Sequence, residues 1–285
     1  MKKITIITDS ASDITLRQLA DWDVRLVSMP ILFGDDTILD DKTREMSVFW
    51  DYMKEGGVLK TSLPSPDVFA EAFAAEVKAG RAVVCITIGS ALSGTYQSAV
   101  LARSMAGGED IYVIDSWSAS SGEKLLVLEA CKLRAQGFSA KDIAEKIEER
   151  KKDVRLFAGI DTLEYLVKGG RLSSVAGQIG SMINLKPIIT LREQGKIEVA
   201  KKAIGIKRAI HDVAKLVEEN PIDAESPVLG LFACEDENLK SFRAYFAAHN
   251  GFDKEITADE IGATIGAYIG PGGFGLAYFA KKSTD

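Results

Sequence analysis

Short runs of β-branched and aliphatic residues alternate with segments of helical period along the whole chain. Residues 4–7, 24–27, 83–88 and 111–114 read as buried strands, and each runs into Asp, Ser or Gly, as strands feeding a loop do. Between them the helical signals are local. Ser65 is the expected N-cap of a helix with Pro66 in its first position, and Phe69, Phe73 and Val77 then share one face. Ser139 with Asp142 resembles a capping box ahead of Ile143 and Ile147. Strand–helix–strand alternation of this kind predicts a mostly parallel sheet covered by helices.

The pattern changes near residue 150. Residues 141–153 are dense in charge, and a new strand is expected over 156–160. Further strands are expected at 188–191, 197–201, 228–234 and 276–280, with helices at 206–219 and 239–248 and a glycine-rich helix at 258–268. The expected class is therefore α/β with two α/β domains. The first, 1–153, has a mostly parallel sheet; the second, 154–285, has a mixed one. A length of 285 residues suits two such units.

Composition narrows the function. An apolar fraction of 46% with 27% charged residues describes a globular chain. A net charge of −6 argues against DNA, RNA or an anionic membrane as the main partner. The short apolar run at 4–7 reads as a strand rather than a signal peptide. No run approaches the 18 or so residues of a membrane span, so a cytoplasmic protein without stable membrane insertion is expected. Cys85, Cys131 and Cys234 are far apart in apolar runs and read as reduced core residues. The only histidines, His211 and His249, sit on expected helices. A Ser-His-Asp triad therefore has no base, and no His-Glu-x-x-His metal motif occurs. No metal and no cofactor is expected.

Two glycine patterns call for attention. Gly270, Gly272 and Gly275 match the Gly-x-Gly-x-x-Gly spacing but follow a helix and precede a strand, the reverse of a dinucleotide fold. Gly89 to Gly94 has the gap of a phosphate loop without its lysine. More telling are hydroxyl-rich segments at the ends of the first-half strands: Thr8 to Asp13, Thr61 to Ser65, Ser90 to Tyr96, and Asp115-Ser116. The carboxyl ends of parallel strands are the ligand edge of such sheets, and neutral donors there suit a singly charged anion such as a carboxylate. Asp9, Asp13 and Asp115 read mainly as loop and cap anchors. Arg171 follows two permissive glycines, and Val175, Ile179, Met182 and Ile183 form an apolar face behind it. Gly262, Gly266 and Gly270 recur every four residues, which fits close helix packing or the lining of an apolar ligand. From the residues alone three readings stay open: a carrier of an acidic ligand, an enzyme (a phosphotransferase or hydrolase) acting on a small anion at an interdomain cleft, and a metabolite sensor.

Several segments occur together and in order: Thr8-Asp9-Ser10, Thr61-Ser62-x-Pro64-Ser65, Ser90-x-x-Ser93-Gly94-Thr95-Tyr96-Gln97-Ser98-Ala99, Tyr165-Leu166-x-Lys168-Gly169-Gly170-Arg171, Lys186-Pro187-Ile188, and Ile265-Gly266-x-x-x-Gly270-Pro271-Gly272. Over essentially its whole length the chain resembles the DegV family, whose members include the fatty-acid-binding subunits of bacterial fatty acid kinase. The resemblance implies a non-enzymatic lipid-binding carrier, with a long-chain fatty acid as ligand and an ATP-dependent kinase subunit as partner. By motif, Thr61 and Ser93 would hydrogen-bond the carboxylate, with Ser62 and Gly94 beside them as ligand-binding positions. Arg171 and Lys202 would belong to the surrounding polar surface. Many family members carry a His where this chain has Tyr268. A tyrosine hydroxyl can still donate to the carboxylate but carries no positive charge at neutral pH.

Overall fold

The computed structural model describes residues 2–107, 109–172, 184–234, 237–248 and 256–282, and these form an α/β structure with three sheets. The strands are β1 Ile4–Asp9, β2 Val24–Val27, β3 Pro30–Phe33, β4 Asp36–Leu39, β5 Lys60–Thr61, β6 Ala82–Thr87, β7 Ile111–Asp115, β8 Val154–Gly159, β9 Leu185–Leu191, β10 Ile197–Ile204, β11 Val228–Phe232, β12 Ile256–Glu260 and β13 Phe274–Phe279. The helices are α1 Leu16–Asp21, α2 Met46–Lys54, α3 Pro66–Lys78, α4 Thr95–Met105, α5 Ser121–Ala135, α6 Ala140–Arg150, α7 Glu164–Lys168, α8 Ile206–Glu219, α9 Glu237–Ala248 and α10 Ala263–Ile269.

The first sheet, β2-β1-β6-β7, is parallel throughout, with Thr8 opposite both Leu26 and Ile86. Helices cover both of its faces. Phe69 and Phe73 of α3 pack with Ile7 and Cys85 on one side; α5 and α6 pack with Ile6 and Val84 on the other. The second sheet, β10-β9-β8-β13-β11-β12, is mixed: only β11 and β12 run parallel. Its two faces separate by the period of two. Phe157, Ile188, Leu276 and Tyr278 pack on α8 and α9, whereas Leu156, Ala158, Ile189 and Leu231 face the other way. Helix α5 lies between the two sheets, its Leu125, Leu126 and Val127 sharing a core with Leu229 and Phe279 of the second sheet. The Ser121 hydroxyl donates to the Gly230 carbonyl at 3.1 Å, which fixes that helix on the second sheet.

Several details differ from the sequence expectations. The segment from 258 begins as strand, not helix: Ile256–Glu260 pairs with β11, and the helix starts only at Ala263. Edge pairing satisfies that backbone, and Gly262 then breaks the run before the helix. Residues 30–61 build a third, antiparallel sheet, β4-β3-β5, whose hairpin turns on Gly34-Asp35 with Gly34 at φ +63°. That is the two-residue turn that a glycine in its first position favours. Ser65 and Ser139 stand at N-caps, but the Ser65 hydroxyl makes no cap bond. The Asp142 carboxylate accepts from the Ser139 hydroxyl instead of reaching its backbone. On α3, Val77 is exposed and Glu76 is buried in its place, held by Thr5, Arg25 and Arg81. Of the cysteines only Cys85 is fully buried; Cys131 and Cys234 are half-buried. The expected apolar face at 175–183 and His249 lie outside the described residues.

One contact joins the halves above the second sheet. The β9–β10 turn brings the Gln194 carbonyl to the Ala91 amide at 2.8 Å, with Gly89 beneath it. A Cβ on Gly89 would stand 2.8 Å from that carbonyl and 3.0 Å from the Gly195 Cα. Both are backbone atoms, so Gly89→Ala has to push the turn away. It is expected to lower stability by about 1–3 kcal/mol, read as an earlier urea midpoint with unchanged slope.

Candidate functional site

Between the outward face of the second sheet and the carboxyl ends of the parallel strands lies a cavity of about 730 Å³, open mouth included. Its floor is Leu156, Ala158, Ile189, Leu191 and Leu231; its roof is Met29, Ile88, Leu92, Ala119 and Ile265. The floor exists because alternate residues of β8 and β9 point one way. The roof exists because strands of the parallel sheet end in loops there.

Six lining residues carry polar atoms: Thr61, Ser93, Ser120, Arg171, Thr264 and Tyr268. Four of them are expected site residues, and the fold brings them together from four separate segments. Thr61 closes β5 and Tyr268 lies on α10, and their hydroxyls are 2.6 Å apart. Ser93, in the turn before α4, is 2.8 Å from the Thr95 hydroxyl. Arg171 follows α7. It donates from Nε to the Leu92 carbonyl at 3.1 Å and from Nη1 to the Gly169 carbonyl at 2.7 Å, and its guanidinium lies 4.8 Å from the Tyr268 ring centre. Gly169 has no side chain because the Tyr268 ring packs there, 2.4 Å from where a Cβ would be. Thr61, Arg171 and Tyr268 also line an outer cleft with Lys60 and Lys168, the latter paired with Glu164 at 2.5 Å, so this polar group lies between the cavity and that cleft.

Three expected positions do not line the cavity. Ser62 is exposed and its amide donates to the Pro30 carbonyl. Gly94 is the residue at the start of α4. Lys202 is exposed on β10 opposite Pro187. The Gly262, Gly266, Gly270 series packs against Lys42, Trp50 and Tyr165 respectively, and none of the three lines the cavity. Ser120 and Thr264 line it without having been expected. Ser120 ends a run in which Ser116, Ser118 and Ser120 follow β7, a continuation of the hydroxyl pattern the sequence already showed.

The phosphate-loop segment is closed to an anion by its own bonding. The Gly89 amide donates to Ser118, Ser90 to the Asp115 carboxylate, Ala91 to Gln194, and Leu92 and Ser93 to the Gly89 carbonyl. Asp9, Asp13 and Asp115 are occupied as backbone acceptors: Asp9 from Ala11 and Ile88, Asp13 from Gly262, and Asp115 from Ser90 and Trp117. Among the described residues no three His, Cys, Asp or Glu side chains are grouped to hold a metal. His211 is exposed on α8 and pairs with the Tyr245 hydroxyl at 3.0 Å.

Beneath the roof is a buried ionic network. The Lys42 ammonium donates to Asp40 at 3.0 Å and to the Ser10 carbonyl at 2.8 Å, and lies 3.7 Å from Asp13. Burial pulls the Lys42 pKa down, but Asp40 and Asp13 outweigh it and leave the group above its ordinary value. Burial pushes Asp9 up to about 7 and Asp13 up to about 6, and raises Glu123 well above the carboxylate range, with Asp9 adding to that. Burial lowers Lys124, which pairs with Asp259 at 3.0 Å.

The fold and the site define an α/β protein with an apolar cavity that ends in a group of neutral hydroxyls and one arginine. A sequence model of the DegV family, described as uncharacterised proteins, matches residues 3–281. The chain is 31% identical over 284 residues to a DegV domain-containing protein of Clostridium acetobutylicum, covering 99% of this chain and all of the relative. Among solved structures it superposes with a TM-score of 0.88 on a DegV family protein from Thermus thermophilus described by its fatty acid binding, at 28% identity over 98% of this chain and 100% of that one. With DegV of Bacillus subtilis, described as a fatty acid binding protein, the TM-score is 0.86 at 27% identity, covering 99% of this chain and 100% of that one. The chain belongs to the DegV family.

Raised carboxyl pKa values give a pH dependence opposite to that of a salt-bridged acid. Where the folded pKa exceeds the unfolded one, the folded state holds the extra proton, so stability is greatest at low pH and falls as pH rises to the folded value. Asp9 and Asp13 place that fall between about pH 4 and 7. Asp13→Asn keeps an oxygen for the Gly262 amide and removes one titration. It should shrink the loss of unfolding free energy between pH 5 and 7 in urea titrations, a slope of at most about 1.4 kcal/mol per pH unit for one group.

Proposed function

We propose that this protein holds one long-chain fatty acid, its tail in the apolar cavity and its carboxylate among Thr61, Ser93, Arg171 and Tyr268. In this reading it presents that carboxylate to a partner kinase for conversion to an acyl phosphate. The observation that carries the reading is the cavity itself: of the described residues that line it thirteen are apolar and six carry polar atoms, and three of those six, Thr61, Arg171 and Tyr268, also line the outer cleft. The fatty acid binding described for the Thermus and Bacillus relatives supports the same assignment. The division of labour, with the first half (1–153) supplying Thr61 and Ser93 and the second (154–285) most of the tail wall, belongs to the proposal.

Magnitudes favour tail over head as the source of affinity. A sixteen-carbon acid has about 14 methylenes, worth about 0.8 kcal/mol each on burial, or about 11 kcal/mol before ordering costs. Each hydrogen bond to the charged head nets only about 1.5–3 kcal/mol. The hydroxyls therefore fix direction and offset desolvation of the carboxylate. Arg171 keeps N–H groups beyond the two spent on backbone carbonyls and supplies the positive charge. On entering, the carboxylate exchanges with the Thr61–Tyr268 bond, taking both hydroxyls as donors. The kinase brings its own nucleotide site in this reading, consistent with the spent amides of residues 89–93.

Mass spectrometry of organic extracts of the purified protein should find a long-chain acid at close to one per chain. With ATP, magnesium and the kinase, Ser93→Ala is expected to lower acyl phosphate formation at least tenfold while shifting unfolding free energy by less than about 1 kcal/mol. Turnover of ATP or of ester substrates by the isolated protein would instead favour an enzyme.

A further inference from the structure

The cavity borders two outer clefts, and among the described residues these clefts share no lining. One lies beside the hydroxyls and meets the cavity at Thr61, Arg171 and Tyr268. The other has a volume of about 960 Å³, open mouth included, and the described residues it has in common with the cavity are Leu156 and Leu191. A side chain that lines two voids is part of the partition between them. Both leucines stand at the end of their strands away from Arg171 and Tyr268. β8 runs from Leu156 through Ala158 and leaves at Gly159 for α7 and Arg171, and α10 with Tyr268 leads into β13, whose Phe274 pairs with Gly159. β9 is antiparallel to β8, so Leu191, one residue past the Phe157–Thr190 pair, lies at the Leu156 end. Behind the two leucines the second cleft is polar: Lys151, Lys152, Arg155 and Arg192 line it with Glu193 and Trp117. Lys151 and Arg192 are paired with Glu148 at 2.5 Å and Glu198 at 2.9 Å.

We propose that Leu156 and Leu191 form the end wall of the tail site and that Leu191 sets the longest acyl chain the protein takes in. The proposal rests on the fatty acid reading above and adds its length limit. With the carboxylate among the hydroxyls, a longer tail extends along the floor toward this wall. Each methylene buried before the wall strengthens binding about fourfold. A carbon beyond it emerges among the charges of the second cleft, where it displaces their water and gains no apolar burial. The gain with length therefore stops at the leucines. Leu191 is the adjustable member of the pair. Leu156 is 5% exposed on a strand flanked by β9 and β13, whereas Leu191 is half-buried and ends β9. The turn that follows it is held over the loop after β6 by the Gln194–Ala91 bond, which fixes where the wall stands. Removing the isopropyl group of Leu191 opens the partition, and Leu191 has no part in the hydroxyl cluster.

The test is equilibrium binding of the full-length, delipidated protein to saturated acids from dodecanoic to docosanoic. Affinity is expected to rise with length to a maximum and then to level off or fall. Leu191→Ala should move that maximum to longer acids, which then bind at least about fivefold tighter than to the wild type, and should leave the shorter acids little changed. Leu191→Met, which conserves volume, should keep the wild-type maximum. Leu191→Val should move it less and in the same direction, and serves if Leu191→Ala does not fold. In the Ala variant, α,ω-dicarboxylic acids of the newly accepted lengths should gain more than the monoacids, because their far carboxylate reaches the cleft of Lys152 and Arg155. A merely structural role for Leu191 would weaken every length alike. If the maximum stays in place in both the Ala and the Val variants, or the dicarboxylic acids gain less than the monoacids, the wall is refuted while fatty acid binding stands. If the wild type binds none of the acids, the fatty acid reading itself falls.

Discussion

A hollow lined by leucine and isoleucine lacks the contacts that normally hold a core in place, so its walls must be fixed by bonds made outside it. In this protein those bonds are polar and join segments far apart in sequence. Asp40 takes the amide and hydroxyl of Thr264, Asp13 takes the amide of Gly262, and the Gln194 carbonyl takes the amide of Ala91. Together they tie α10 to the loops after β1 and β4, and the β9–β10 turn to the loop after β6. The floor needs no such help because the second sheet is backed by α8 and α9.

The same network explains why so much charge is buried in a chain with ample apolar residues. Pairs such as Lys42–Asp40 and Lys124–Asp259 add little net stability once desolvation is counted, but they fix register between elements that otherwise share only a cavity. Lys124 does this across the structure: it lies on the helix between the sheets and its partner, Asp259, is on the edge strand β12. The residual cost appears as displaced pKa values. Asp9, Asp13 and Glu123 crowd a space in which Lys42 is the nearby positive charge common to all three, and burial leaves them more basic than free carboxylic acids.

How much of this the sequence could reveal depends on whether the signal was local. The parallel strands were legible because runs such as 83–88 are apolar on both faces, and α8 because its apolar stripe is regular. The hydroxyl segments were legible because they sit at strand ends; the family resemblance then singled out Thr61 and Ser93 among them, and both line the cavity. The β3–β5 sheet was missed although Gly34-Asp35 marks its turn, because β5 is only two residues long and has no pattern of its own. The strand at 256–260 was hidden by the glycines that follow it. Thr264 was out of reach for a different reason: its hydroxyl is fixed by Asp40, 224 residues away, and no spacing rule connects them, whereas Ser120 continues the hydroxyl run that follows β7. Lys202, suggested by motif for the surrounding polar surface, is exposed on β10 opposite Pro187.

The chemistry of the cavity follows from what its wall contains. A serine or threonine becomes a nucleophile only beside a group that can take its proton. Ser93 has the Thr95 hydroxyl beside it, Thr61 has the Tyr268 hydroxyl, and among the described residues of the wall Arg171 and Tyr268 are the ionisable side chains. An arginine stays protonated and cannot serve as a base. Hydroxyls paired with hydroxyls can, however, turn toward an arriving carboxylate at little cost, since each exchanges one neutral partner for a charged one and charge-assisted bonds are the stronger. Such a wall suits a carboxylate that must be gripped and kept unreacted until something outside the cavity acts on it. In the proposed reading, the outer cleft shared by Thr61, Arg171 and Tyr268 is where a bound carboxylate would lie nearest to solvent.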